Sequence, residues 1–202
     1  MQNETQPKSR PVLKLRGGRF EPLNWDSMTA AQLAMAENVL AGKRGSMQGP
    51  YNVLLRSPEL GNLAQQFGAH TRFHSSLPLA LNELAILLVA RFWTSPFVWT
   101  IHKGIALEAG LNADLVDSIA QRREPGNLHA LAPGVAAVYS FCHELLQEKQ
   151  VSDACYTALV SAFGERGVVD AMGTMSYYTL VCMSLNVDQY PLPDGTHNQL
   201  QP

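Results

Sequence analysis

Apolar positions recur along most of this chain at helical spacing, and alternating strand-like runs are nearly absent. Met28, Leu33, Met35, Ala36, Val39 and Leu40 approximate one face and predict a helix from about Thr29 to Ala41, stopped by Gly42. GKRGSMQGPY follows as a loop; its glycines and Pro50 suit a pocket wall or a plain turn. Ser57-Pro58-Glu59 opens a helix running to about Phe73, with serine as cap and proline at the first helical position. Pro78 opens the next. From Leu84 to Ala90 that helix is apolar on every side, so it is expected at the centre of the core. A break at Thr94-Ser95-Pro96 starts another helix, which ends at Gly110. Asn112 caps a shorter one ending near Arg122. Pro133 opens a helix with Val135, Val138, Phe141, Leu145 and Leu146 inward, and Ser152 begins one more. Gly164 and Gly167 separate that from a last long helix, Val168 to Leu185. The expected class is all-α, with no repeat of solenoid period.

A length of 202 residues predicts a single domain over 21–195. A polar, Pro/Gly-rich flexible arm over 1–20 and a disordered tail over 196–202 flank it. The hydrophobic share of 46% is enough for a sizeable core. A net charge of −2 gives no reason to expect nucleic acid or an anionic membrane surface. No apolar run reaches membrane-span length, so no membrane partner is expected. The start MQNETQPKSRP lacks the apolar core of a secretory signal. Cys142, Cys155 and Cys182 are odd in number and far apart, forming neither CxxC nor a zinc pattern. Free thiols in a reducing cytoplasm are the expectation, with no metal and no cofactor.

The candidate chemistry lies in ELAILLVARFWTSPFVWTIH, from Glu83 to His102. On the second helix Ser95, Val98, Trp99 and His102 stand at i, i+3, i+4 and i+7 and share a face. The helix end near Ser95 favours an anion such as a substrate carboxylate. Histidine exchanges protons near neutral pH. If the two helices fold back as a hairpin, the Glu83 carboxylate reaches the imidazole and fixes its tautomer. The plain alternative is a glutamate that begins a helix and a histidine satisfied in the core. Arg91 can pair with a carboxylate, either Glu83 or a substrate acid. His70, Arg72 and His74, two apart, fall on different helical faces, which suits a solvated or rim role better than a metal cluster. Tyr177 and Tyr178 can bring a phenol to the site or to an interface.

The Glu83–His102 stretch resembles the signature of the carboxymuconolactone decarboxylase and alkylhydroperoxidase D superfamily. In its peroxidase branch a Glu is followed twelve residues on by a Cys, three further by a second Cys and four further by a His. Glu83, Ser95, Val98 and His102 fall at those offsets. LLRSPEL, HKGIALEAGL, VSDACYTALVSAFGERGVVD, SYYTLVCMSLN and PLPDG look like the decarboxylase-like branch, over about residues 45–195. Many thiol-free members carry Ser-x-Tyr-Glu-Trp where this chain has Ser95-Pro96-Phe97-Val98-Trp99, losing a phenol and a carboxylate. Both cysteine positions are empty, so a dithiol peroxidase is not expected.

The resemblance implies an alkylhydroperoxidase D-like helical fold with a central antiparallel helix hairpin, and a homo-oligomer (dimer, trimer or hexamer). It also implies a cofactor-free lyase acting on a small acidic or lactone metabolite, the kind met in the breakdown of aromatic compounds. His102 and Glu83 are the expected catalytic residues. Ser95, Val98, Trp99 and Arg91 are the expected substrate-binding residues. A non-catalytic ligand-binding or scaffolding member is the alternative.

Overall fold

A computed structural model describes residues 10–200. The first part of the expected arm and the last two residues of the expected tail lie outside the described residues. The described chain is all-α: α1 (Ala30–Ala41), α2 (Tyr51–Leu54), α3 (Pro58–Phe73), α4 (Leu79–Phe92), α5 (Pro96–Glu108), α6 (Ala113–Ala120), α7 (Val135–Glu148) and α8 (Asp153–Asp188). Short 3-10 turns at Trp25–Ser27 and Leu128–Ala130 complete it.

α4 is the central helix. Every residue from Leu81 to Arg91 is buried, and α5, α6, α7 and α8 all pack against it. Its continuous apolar surface leaves no face that water could solvate cheaply, and each fully buried Leu, Ile or Val contributes about 1.5–3 kcal/mol. A second, smaller core joins Met28, Met35, Val39, Met47, Tyr51 and Leu55 under α1, α2 and α3. Asn82 ties the layers together: its Nδ2 donates to Thr71 O at 3.1 Å, and its Oδ1 accepts from Thr174 Oγ1 at 2.8 Å.

Local chemistry sets the ends. Thr29 and Gln32 form a reciprocal capping box on α1, and Asn112 and Ser152 cap α6 and α8 with their side chains. Ser57 and Ser95 occupy cap positions but make no side-chain cap bond. α4 ends in a Schellman turn: Ser95 N–H donates to Ala90 O at 2.9 Å and Thr94 N–H to Arg91 O at 3.1 Å. Thr94 occupies its left-handed position at φ 45°, unusual for a β-branched residue. α5 ends the same way with Gly110 at φ 90°. The break expected at Gly164 and Gly167 is at Gly164 alone, with φ 68° and ψ 176°. α6 stops at Ala120, two residues before Arg122. The four-residue α2 has no periodicity to announce it.

Residues 16–21 are held against the end of α8 and against α2. Asp188 Oδ1 accepts from the N–H groups of Gly18, Arg19 and Phe20, at 3.2, 2.9 and 2.8 Å. A side chain at Gly18 would collide with the Asp188 backbone, so this approach requires glycine. Asn52 Nδ2 donates to Phe20 O at 2.7 Å. At the other terminus Leu200 is buried in the main core. No helix among the described residues is long and apolar enough to cross a membrane.

Candidate active site

α4 and α5 pack against each other, and Glu83 in the second turn of α4 meets His102 in the middle of α5. Glu83, 1% exposed, accepts a hydrogen bond from Nδ1 of His102, 6% exposed, at 2.6 Å. A carboxylate acceptor fixes the imidazole proton on Nδ1 and leaves Nε2 for a ligand. The Tyr178 ring meets the imidazole edge-on, with centroids 4.8 Å apart and planes at 83°.

His102 opens onto a cavity of about 310 Å³. Val98 and Ile101 from α5, with Tyr178, Val181 and Leu185 from α8, make the apolar part of its wall. The lining also includes Lys43, Arg44, Gly49 and Tyr51 from the 42–51 loop and the start of α2, and Arg72 from α3. The wall contains no carboxylate, and none of the ion pairs among the described residues involves Lys43, Arg44 or Arg72. Tyr190 fastens the loop: its ring packs edge-on against Phe97 at 4.6 Å, and its Oη accepts from Gly49 N at 3.2 Å.

Three phenols stand here. Burial, and then the neighbouring Glu83, raise the Tyr178 phenol above its ordinary value. Burial raises Tyr51 and Tyr177 likewise. All three stay neutral near pH 7 and serve as hydrogen-bond groups rather than bases.

Val98 and His102 are where the sequence expects them, on the cavity wall. Ser95 and Trp99 are not. Both are fully buried behind the wall. The Ser95 hydroxyl lies beside the Cys182 thiol, so the helix end does not offer it to a ligand. The stripe of α5 facing the cavity is Phe97, Val98, Ile101 and His102, one position away from the Ser95–Trp99 stripe. Arg91 is also elsewhere. It follows Glu83 by eight residues, about 12 Å along α4. It lines a second cavity of about 390 Å³ with Arg122, Arg123, Tyr139 and His143. There its Nη1 donates to Thr94 Oγ1 at 3.2 Å.

Of the histidine and arginine series at the end of α3, only Arg72 lines the active cavity. His74 ends α3 with its Nε2 3.5 Å from Lys43 Nζ, and His70 stands 3.9 Å from Asp170. Among the described residues no group of three or more His, Cys, Asp or Glu is placed to hold a metal ion. The 42–51 loop, expected as a pocket wall or a plain turn, lines the cavity, and it brings Lys43, Arg44 and Tyr51, none singled out as a binding residue from sequence; two cations inside a glycine-flanked loop were the available signal. Tyr177 lines the cavity because Gly68 lets its ring approach α3, where any Cβ would collide with it.

No protein-family model matches this chain, and no curated protein matches it.

Proposed function

We propose that this chain is a carboxymuconolactone decarboxylase-like protein of the thiol-free branch, and a cofactor-free lyase on a small carboxylated or lactone metabolite. The observation that carries this reading is the buried Glu83–His102 contact of 2.6 Å at the wall of a cavity whose charged lining is cationic. Loss of carbon dioxide leaves the electron pair of the broken C–C bond on the substrate as a dienolate. Protonated His102 delivers the Nε2 proton to carbon, and water restores it. Glu83 holds the imidazole in position through the 2.6 Å contact at Nδ1. The cations Lys43, Arg44 and Arg72 in the same lining favour the negative charge of substrate and dienolate.

A homo-oligomer in the cytoplasm belongs to the same reading. Its support is the exposed apolar row Leu60, Leu63 and Phe67 on α3, with Val169 and Met172 on α8, and three free cysteines.

The test is a screen of small carboxylates and lactones on the purified protein, scored by carbon dioxide release and by thermal stabilisation. Turnover is expected to fall by about 10²–10⁴ in His102→Ala, the usual contribution of a general acid. Intact turnover in both His102→Ala and Glu83→Ala overturns the proposal. The second reading, a non-catalytic ligand-binding member, is favoured by the apolar Val98 beside His102, where thiol-free relatives carry an acid. A stabilising ligand recovered unchanged selects it.

A further inference from the structure

We propose that Arg44, clamped between Tyr51 and Tyr177, is the anion anchor of the His102 cavity, and that it takes the carboxylate of a ligand with a flat apolar body. The inference rests on the preceding reading for the choice of cavity, and it adds the binding group that the Glu83–His102 stretch does not contain.

The clamp is built from four separate parts of the chain. The Arg44 guanidinium carbon lies 5.9 Å from the Tyr51 ring centre and 5.7 Å from that of Tyr177. Both distances are within cation–π range, and a planar guanidinium suits two ring faces better than an ammonium does. Arg44 Nη2 also donates to Tyr177 Oη at 3.4 Å. Tyr177 can stand there only because Gly68 has no side chain. Tyr51 starts α2 and is 2% exposed, so its ring is fixed by the second core. These contacts hold the cation without neutralising it.

Its neighbours make the need for an anion sharper. Lys43 and Arg72 line the same cavity and lie over the Phe73 ring at 5.9 and 5.5 Å. Three cations thus line one cavity with no carboxylate in its lining. Their mutual repulsion is relieved when an anion enters. The Tyr51 hydroxyl is buried beside that of Tyr177 and makes no hydrogen bond of good geometry. Burial keeps it protonated, so its donor can turn to an acceptor that enters the cavity. A guanidinium fork and a phenol together match a carboxylate. Away from the cations the wall is Val98, Ile101, Val181 and Leu185, which suits a flat apolar body and not a sugar or a polyamine.

Benzoate and its neutral isostere benzamide separate charge from shape. By ligand-observed NMR titration, wild type is expected to prefer benzoate by roughly tenfold or more, about the worth of one charge-assisted pair. Added salt is expected to weaken benzoate and leave benzamide unchanged. Arg44→Gln is expected to abolish the preference, and Tyr177→Phe to reduce it, because the ring remains and the phenol acceptor is lost. Arg44→Lys, which keeps the charge, is expected to give an intermediate preference. His102→Gln removes the proton donor and is expected to keep the preference. The anchor is overturned by equal benzoate and benzamide binding, or by no benzoate binding, in wild type. A wild-type preference in Arg44→Gln overturns it too. Should Arg44→Gln not fold, a salt-insensitive preference in wild type overturns it. A preserved benzoate preference with no turnover of any substrate instead sinks the lyase reading and leaves the anchor standing.

Discussion

Glu83 Oε2 stands 2.6 Å from His102 Nδ1, nineteen positions apart in sequence and with almost no exposure for either. Removing one member of such a pair leaves a polar group buried with nothing to satisfy it. Glu83→Leu and His102→Phe are each expected to lower unfolding stability by about 3–5 kcal/mol. The double variant is expected to lose much less than the sum, because an apolar pair leaves no polar group of the two unsatisfied. Urea unfolding of the four proteins checks this. Simple additivity would show that the two side chains are not energetically coupled.

The meeting of these two residues was legible because α4 and α5 are well marked. Pro78, the all-apolar Leu84–Ala90 run and the break before Pro96 bound them in sequence as they do in the fold. The rotation of α5 was not legible. Phe97, Val98, Trp99 and Ile101 are apolar on several sides, so periodicity alone does not say which stripe faces the ligand. Trp99 therefore turned out to be core and Ile101 wall. The cationic wall was harder still. Lys43 and Arg44 lie some forty residues before Glu83, and they reach His102 only through the packing of α1, α2 and α3. Tyr190 and Gly68 complete that arrangement from two further elements. Arg91 stands eight residues along α4 from Glu83, where it bonds Thr94 and lines the second cavity with Arg122.

The turn that joins α4 to α5 carries a cost in its backbone. Thr94 has φ 45°, and its Oγ1 accepts from Arg91 Nη1 at 3.2 Å and Arg122 Nη2 at 3.4 Å. A left-handed β-branched residue costs about 1–2 kcal/mol relative to a permissive one. Asparagine tolerates that conformation and keeps an acceptor oxygen. Thr94→Asn is expected to raise stability by up to about 1 kcal/mol, read from the urea midpoint. A lower midpoint would mean that Thr94 relieves more strain than it stores.

Asp188 is expected to fasten the N-terminal segment to the end of α8. One carboxylate oxygen receives three backbone N–H groups from Gly18, Arg19 and Phe20. Asp188→Ala leaves the Gly18 and Phe20 donors without their acceptor, while Arg19 N–H keeps the Asp188 backbone carbonyl at 2.8 Å, and is expected to destabilise by on the order of 2 kcal/mol. Asp188→Asn, which retains an oxygen, is expected to lose less. Hydrogen exchange gives the local readout: amides 18–20 speed up in Asp188→Ala before the amides of α4 do. Unchanged exchange at 18–20 would show that the other contacts, from Asn52, Arg56, Asp194 and the Val187 and Asp188 carbonyls, hold the segment.

Alkali is expected to weaken the fold through its buried thiols. Burial pushes the Cys142 and Cys182 thiols up to about 12, with the Ser95 hydroxyl opposing the shift at Cys182. In the unfolded chain a thiol ionises near about 8.5. Between these values the unfolded state has released protons that the folded state still holds, so stability falls as pH rises. The contribution is complete below about pH 8, and the two thiols together are expected to remove about 3 kcal/mol by pH 9.5. Buried phenols at Tyr51 and Tyr178 extend the loss above pH 10, in the same direction. Urea unfolding under reducing conditions from pH 7 to 9.5 measures the slope, and Cys142→Ala with Cys182→Ala is expected to flatten it. Alkylation at pH 8 gives an independent check: Cys155, which is partly exposed, reacts in the native protein while Cys142 and Cys182 react only after unfolding. A native protein alkylated at all three, or one whose stability does not change to pH 9.5, would show that these thiols are reached by water.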